Sequence, residues 1–571
     1  MKILVLHASS NAGRAVVQSL GAAGHRCCAA ATSTEGSVFA SRYAAWRAVH
    51  PDPLANKEAY QSWVLSEQRR EGFDLILPVT EETLVPLHEI RHDPALAGHL
   101  AIPSAEAVEG AFDKEALRRR AESVGIAVPE TVFVERLEAL ETPLLDVWMA
   151  EAPVVVKTTR SKVWQGRVGR SHAVHMARDR TELRRRVAEL LRETPVQVQR
   201  WVPGRGVGIE VLARHGEIVM AFSHERIHEV PLSGGASSYR RSIAPPRPLL
   251  DATAALMRAY RWHGVAMVEF RVAEDRHWLL EVNGRFWGSL PLAIFAGADF
   301  PRALVDLLCH DRVPVGPPPA TNVYARNVAS DLVWIKAVLL DRRSGPGRLT
   351  RRLLPGLLEW TRLASGRETW DGLSLRDPGP ILRELTSCAG HELAAVQRRL
   401  GRALLLREAR RLGATARRRL ERARRVLVVC HGNICRSPYA AARLSTRAPA
   451  LEVRSRGLHA EDGSRTPEHI RSAAQARGVD LSAHRAAGVT ARDLAWADAI
   501  VLMDGSNHAR LGAMDERSLD KVLWLGAFDG GHRVEIEDPY DAPPAQVRAV
   551  LARIDACVES FSHALPPAAV R

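Results

Sequence analysis

The stretch that decides how this chain folds is Val426-Leu427-Val428-Val429-Cys430-His431-Gly432-Asn433-Ile434-Cys435-Arg436-Ser437-Pro438. Four apolar, mostly β-branched residues predict a buried strand whose carboxyl end delivers Cys430 into a turn. Ser437-Pro438 then predicts a helix start, because proline in a first turn lacks only a donor that would be unsatisfied there anyway. Strand, tight turn and helix open an α/β layer, and the turn can aim successive backbone N–H groups inward as an anion nest. The helix terminus and the fork of Arg436 favour a bound phosphate, and both favour Cys430 as a thiolate. Such a sulfur attacks phosphorus in line to give a phosphocysteine, and the leaving oxygen then needs a proton. Asp538, in Glu537-Asp538-Pro539-Tyr540, is the candidate acid, with Tyr540 as a wall for an aromatic leaving group.

Working outward, Val426 marks an abrupt change of composition. Residues 326–425 hold 23 basic and 10 acidic residues, so they carry +13 of the chain's formal net charge of +14. The flanks are therefore close to neutral. This basic segment reads as helical, with Leu400, Leu404, Leu405 and Leu412 as an apolar stripe among arginines. It has three readings: helices packed on the preceding half with solvated arginines outside, a surface for anionic lipid helped by Trp334, Trp360 and Trp370, or nucleic-acid binding. The last is disfavoured because no recognised motif or Arg-Gly aromatic pattern is present.

The chain of 571 residues is long for a single binding module and asks for several domains. With 46% hydrophobic and 25% charged residues it is neither globally disordered nor membrane-spanning in composition. No signal peptide or apolar run of spanning length is visible, and seven cysteines without framework spacing predict a reducing compartment. The expected location is the cytoplasm, with peripheral membrane association through residues 326–425 as an added reading.

The amino-terminal half opens as strand, turn and helix at residues 2–15. The loop Ser9-Ser10-Asn11-Ala12-Gly13 lacks a dinucleotide glycine fingerprint. A second apolar strand, residues 73–78, leads into Val79-Thr80-Glu81-Glu82, where a strand's carboxyl end can face a ligand. Proline-rich residues 313–319 read as a boundary. Between them lie Met267-Val268-Glu269-Phe270 and Leu279-Leu280-Glu281-Val282-Asn283-Gly284-Arg285. Adjacent strands there would present Glu269, Glu281 and Asn283 as hard oxygen ligands for Mg²⁺ bridging nucleotide phosphates, with Arg285 reaching a phosphate. Lys157 ends an apolar strand, a loop with Gly166 and Gly169 follows, and Gln197 to Gly204 give a strand and an extended hinge whose backbone can read adenine.

Residues 425–565 resemble the low molecular weight protein tyrosine phosphatase family. The match runs in order through the Cys430–Pro438 loop, Ser455 and Gly457, His484, Ala497-Asp498 leading to Met503, and Asp538-Pro539-Tyr540. The resemblance implies a parallel-sheet fold without a cofactor, Cys430 as nucleophile, Arg436 as phosphate clamp and Asp538 as general acid then base. It implies a phosphate-binding loop of His431, Gly432, Asn433, Ile434, Cys435 and Ser437, in which Asn433 and Ser437 organise the loop and Cys435 can pair with the nucleophile under oxidation. A phosphotyrosine protein or small aryl phosphate is the implied substrate. His431 and Asp541-Ala542 depart from the family pattern, which leaves substrate preference open. A related arsenate-reducing loop would need a resolving cysteine well downstream, and only Cys557 follows.

Residues 1–310 resemble the ATP-grasp superfamily in its carboxylate-amine ligase branch, with further matches at Asp113-Lys114, Arg226, Glu229 and Gly234-Gly235. The resemblance implies ATP contacts from Lys114, Lys157, Gln199, Arg200, Trp201, Val202 and Arg285, and Mg²⁺ on Glu269, Glu281 and Asn283. Activation of an unknown carboxylate, then attack by an unknown amine, is the implied chemistry; the alternative is a non-catalytic nucleotide-binding regulator or tether of the phosphatase. Gln199 stands where an acidic hinge residue is common, and Gly284 where a proline is common. The expected architecture is α/β throughout. It comprises a pre-ATP-grasp domain at 1–105, a multi-lobed ATP-grasp domain at 106–315, a basic helical connector at 316–424 and a parallel-sheet phosphatase domain at 425–571.

Overall fold

The computed structural model describes residues 1–232, 234–274, 276–340, 354–387, 390, 420, 422–528 and 534–565. It divides into two units, Met1–Ala389 and Gly390–Arg571. The predicted leucine stripe at 400–412 lies outside the described residues.

The first unit opens with a parallel sheet of β1 (Lys2–Leu6), β2 (Arg26–Ala31), β3 (Ala44–Val49) and β4 (Leu75–Pro78), in the order β3-β2-β1-β4. β1 is buried along Ile3, Leu4, Val5 and Leu6, as expected of a central strand covered on both faces. An antiparallel sheet follows, built from β5 (Thr131–Val134), β6 (Val154–Thr158), β9 (His175–Ala177) and β10 (Val196–Gln199) in the order β5-β10-β6-β9. The hairpin of β7 (Lys162–Gln165) and β8 (Val168–Ser171) is the loop that the glycines at 166 and 169 signalled.

The largest sheet has seven strands: β11 (Arg205–Arg214), β12 (Glu217–Val230), β13 (Ala236–Ile243), β14 (Gly264–Ala273), β15 (Arg276–Asn283), β16 (Tyr324–Arg326) and β17 (Glu368–Trp370). Their order is β15-β14-β11-β12-β13-β16-β17. β14 and β15 form an antiparallel pair that sets Glu269 opposite Glu281 and Met267 opposite Asn283. At Gly284 an added Cβ would meet the rings of Trp262 at 2.8 Å and Phe112 at 2.9 Å, so glycine there is a packing requirement.

β16 and β17 change the reading of the basic segment. Its first half enters the seven-stranded sheet, with a helix at Val328–Leu340 between the two strands. Arg326 is not solvated: it is fully buried, ion-paired with Asp331 and with Glu368 at 2.8 Å. Of the tryptophans invoked for a lipid surface, Trp334 is buried and Trp360 and Trp370 are half-buried. Trp334 stacks on His228 with ring centroids 3.5 Å apart, and Trp360 meets Trp370 edge-on at 6.1 Å while Arg326 lies over its ring. Among the described residues no helix is long and apolar enough to cross a membrane.

The second unit contains a fully parallel sheet of β18 (Arg425–Cys430), β19 (Glu452–Gly457), β20 (Ala499–Leu502) and β21 (Val522–Trp524), in the order β19-β18-β20-β21. Val426, Leu427, Val428 and Val429 are at most 1% exposed, and they place Cys430 at the carboxyl edge of a central strand. The helices Arg436–Arg447 and Pro544–His563 pack beside one another, and residues from both enter one core with Val426 and Val428.

Candidate active sites

In the second unit the turn after β18 is held by its own side chains. Asn433 adopts φ 54°, a left-handed conformation that asparagine tolerates better than most residues. Its side chain is buried and donates to Ser437 Oγ at 2.9 Å and Ser455 Oγ at 3.0 Å, while its Oδ1 accepts from the Ala487 amide at 3.0 Å. The Asn433 carbonyl sits 2.7 Å from His484 Nε2. The Leu458 and His459 amides donate to the carbonyls of Cys430 and His431 at 3.0 and 2.8 Å. Gly457 completes this packing, because a Cβ there would lie 2.9 Å from Gly432 C and Asn433 N. Ser437 Oγ lies 3.0 Å from Cys430 Sγ.

Arg436 begins the helix Arg436–Arg447 and is 2% exposed. Its guanidinium donates to Asp504 at 2.5 Å, to the Ile536 carbonyl at 3.0 Å and to Asp538, while its Nε is buried without a partner. A phosphate oxygen would satisfy that donor. Burial works against the charge of Arg436, but Cys430, Asp538 and Asp504 together raise its pKa. Burial likewise opposes ionisation of Asp504, yet the Ser506 hydroxyl, Arg436 and the Asn507 amide hold its carboxyl below the ordinary range. Cys435 is buried, and burial, followed by Asp538 and Cys430, pushes its thiol well up. Asp538 and Tyr540 are joined by a 3.3 Å bond from the Tyr540 amide, and Tyr540 is 49% exposed beside the acid.

Sequence reasoning passed over Asp504. The available signal was its place just beyond β20, since parallel neighbours bring the ends of β18 and β20 to the same sheet edge.

In the first unit a cavity of about 760 Å³ is lined by Lys114, Lys157, Gln199, Arg200, Trp201, Val202, Arg285, Glu269, Glu281 and Asn283 together. Asp113 caps the helix Lys114–Ser123 through the amides of Glu115 and Ala116 and thereby presents Lys114, whose Nζ donates to Ser161 at 2.8 Å. Lys157 is 8% exposed; burial first, then Lys114, lowers its pKa to about 8 against the pull of Glu281. The side chain of Arg200 turns outward to Glu130 and Glu151, both at 2.6 Å, and Gln199 donates to Thr131 at 3.2 Å. At this hinge the side chains are engaged elsewhere.

Asn283 Nδ2 lies 3.4 Å from Glu269 and 3.2 Å from Glu281. Two carboxylates and one amide thus converge, a set of hard oxygens that fits Mg²⁺ once the amide presents its oxygen. Among the described residues no group of three or more His, Cys, Asp or Glu side chains that could hold a metal ion is present, here or elsewhere. Burial raises the Glu269 carboxyl despite Arg226 at 2.5 Å. Glu281 is also opposed by burial, but Lys114 and Lys157 bring it below the ordinary range. Arg226 was read only as part of a pattern; here it is the counter-ion of Glu269.

Residues 425–569 match the model of the family described as low molecular weight phosphotyrosine protein phosphatase, and residues 192–330 match that of ATP-grasp in the biosynthetic pathway with Ter operon. A protein-arginine-phosphatase of Geobacillus stearothermophilus is 30% identical over 142 residues, which are 25% of this chain and 95% of that protein. A probable low molecular weight protein-tyrosine-phosphatase EpsP of Ralstonia solanacearum is 34% identical over 137 residues, 24% of this chain and 92% of that protein. Among solved structures, the YwlE arginine phosphatase from Geobacillus stearothermophilus has a TM-score of 0.23 at 28% identity, covering 24% of this chain and 90% of that one. The N5-carboxyaminoimidazole synthetase from Staphylococcus aureus has a TM-score of 0.44 at 14% identity, covering 60% of this chain and 86% of that one.

Proposed function

Residues 425–569 belong to the low molecular weight phosphotyrosine protein phosphatase family, and from that premise we propose that the second unit hydrolyses phosphotyrosine or a small aryl phosphate through a phosphocysteine. The observation that carries this reading is the triangle of Cys430, Ser437 and Asn433 beside an Arg436 whose buried Nε lacks a partner. The Cys430 sulfur forms a bond to phosphorus as the bond from phosphorus to the leaving oxygen breaks, and Asp538 gives that oxygen its proton. Water then attacks phosphorus, Asp538 takes its proton, and the P–S bond breaks to return the thiolate and inorganic phosphate. Arg436 and the loop amides hold the equatorial oxygens. Tyr540, half-exposed beside Asp538, supports an aromatic leaving group. Hydrolysis of an aryl phosphate beside a phosphoarginine peptide tests this; a Cys430→Ser chain as active as the parent on both would sink the mechanism.

The first unit carries an ATP-grasp domain and, in this reading, uses ATP to activate a carboxylate for attack by an amine. What supports it is that ten residues from several elements line one cavity. Lys114, Lys157 and Arg285 would hold phosphates, and the backbone of Gln199, Arg200, Trp201 and Val202 would bind the base. Glu269, Glu281 and Asn283 would hold Mg²⁺, which supplies charge neutralisation between phosphates. ADP release from the full chain, screened against carboxylate and amine pools, tests it; no substrate-dependent release would count against a ligase.

A further inference from the structure

The chemistry proposed for the first unit leaves one buried acid–base pair unused. Glu210 of β11 and His224 of β12 are 0% and 1% exposed, and His224 Nδ1 lies 2.5 Å from Glu210 Oε1. The Ser289 hydroxyl stands 3.4 Å from the same oxygen, and Glu210 Oε2 has no partner among the described residues. Enclosing a carboxylate in this way is unfavourable unless a partner answers its charge. Here the partner is the imidazole: a carboxylate on Nδ1 fixes the ring proton there and leaves Nε2 with its lone pair. Nothing among the described residues bonds Nε2, and His224 lines the cavity.

Sheet register sets this histidine in line with the candidate metal carboxylates. Gly208 of β11 stands opposite Glu269 on one side and opposite His224 on the other. Residues directly opposite in antiparallel pairs share a face, so Glu281, Glu269, Gly208 and His224 run as one row across four strands. Glu210, two residues along β11 from Gly208, lies on that face as well. With strands about 4.8 Å apart, the backbones at His224 and Glu269 are separated by about 10 Å. Gly208 leaves room between them, because a Cβ there would lie 2.5 Å from His224 Cε1 and 3.1 Å from Glu210 Oε1. Arg226, two residues along β12, is committed to Glu269. An amine substrate reaches such a site near neutral pH as an ammonium, which has no lone pair for attack.

We propose that His224, oriented by Glu210, is the general base that deprotonates the amine substrate of the first unit. The proposal rests on the ligase reading above and adds to it the residue that readies the nucleophile. One ammonium proton passes to His224 Nε2. The freed nitrogen pair then bonds to the carbonyl carbon of the acyl phosphate formed from ATP and the acid, the C–O bond to phosphate breaks, and the departing phosphate takes the second proton. His224 afterwards gives its proton to water. Glu210 holds Nδ1 throughout and is a positioning residue.

The test compares two kinds of nucleophile in the full chain, supplied with MgATP and a pool of the twenty amino acids, simple diamines, and di- and hydroxycarboxylates. Hydroxylamine is uncharged near neutral pH and attacks an acyl phosphate without a base, whereas the ammonium groups of the pool need one. Hydroxamates and amides are counted by mass spectrometry, and MgATP affinity is measured calorimetrically alongside. His224→Asn keeps a donor for Glu210 and removes Nε2. Its amide formation should fall by about 10² to 10⁴ while hydroxamate formation and MgATP affinity stay at the parent's level. Glu210→Gln lets an amide N–H face Nδ1, which moves the ring proton to Nε2, so it should show the same selective loss. In a variant that binds MgATP, equal loss of both products, or loss of neither, overturns the base alone. A parent that makes neither product overturns the ligase reading and the base with it.

Discussion

Ser437 Oγ lies 3.0 Å from Cys430 Sγ and accepts from Asn433 Nδ2 at 2.9 Å. With its oxygen so occupied, the hydroxyl proton is available to the sulfur; the other acceptor in reach, the Arg456 carbonyl, is at 3.4 Å. Ser437→Ala should therefore lower turnover of an aryl phosphate by about 10- to 100-fold, the range of one hydrogen bond to a charged group. Steady-state kinetics of the full chain decide this, and parent-like turnover would remove Ser437 from the mechanism.

Asp538 touches Arg436 and adjoins Tyr540. If it protonates the leaving oxygen, Asp538→Asn should cost about 10² to 10⁴ in rate. The loss should be greatest for a poor leaving group and smallest for a nitrophenolate. Equal losses on alkyl and nitrophenyl phosphates would indicate a role confined to holding Arg436.

Lys157 has its pKa lowered to about 8, chiefly by burial and then by Lys114. Bound phosphate favours the ammonium, so the pKa in the complex is higher than in the free chain, and binding takes up a proton above about pH 8. MgATP affinity should be flat below that point and fall by up to about tenfold per pH unit above it. Calorimetry in buffers of different ionisation enthalpy reads both the slope and the proton uptake. Lys157→Ala should weaken binding throughout and abolish the slope.

Glu281 is held ionised by Lys114 and Lys157 against its burial. Glu281→Gln leaves two lysines facing a neutral group and removes one of the carboxylates proposed to hold Mg²⁺, so Mg²⁺-dependent ATP affinity should fall by at least about tenfold. A chelator should reduce parent binding to the variant's level. Indifference of the parent to chelation would argue against a metal on these residues.

Arg326 is buried between Asp331 and Glu368. Arg326→Ala removes the cation between two buried carboxylates, leaving Asp331 to His228 and Ser238 and Glu368 to Tyr239, and should cost about 3–5 kcal/mol. A chain ending at residue 315 loses β16 and β17 altogether and should not yield a soluble first unit, whereas one ending at residue 389 should. Thermal unfolding and gel filtration of the two truncations distinguish these outcomes.

Both candidate sites were legible in sequence because their elements are local. Val426 to Pro438 is strand, turn and helix in 13 consecutive positions, and a buried parallel strand with its loop specifies the place of Cys430. Glu269, Glu281 and Asn283 lie on two strands joined by a short hairpin turn, so period-two alternation puts them on one face. Asp504 was passed over because its one signal, its place just beyond β20, points to Arg436 only once β20 is known to lie beside β18. The same holds for Arg226 against Glu269 and for Asp371 against Asn11, which are 360 residues apart.

Charge shows the division most clearly. Sequence alone determined that +13 of the net charge lies in residues 326–425 and that the motifs of both candidate sites lie in the flanks, since composition and short-range periodicity are properties of neighbours in the chain. Only tertiary structure decided that Arg326 is interior, that Trp334 is buried against His228, and that Asp371 walls a cavity built mostly by residues far upstream. Burial and pairing of a charge depend on which distant strand lies beside it, and sheet order is set by the packing of the whole unit.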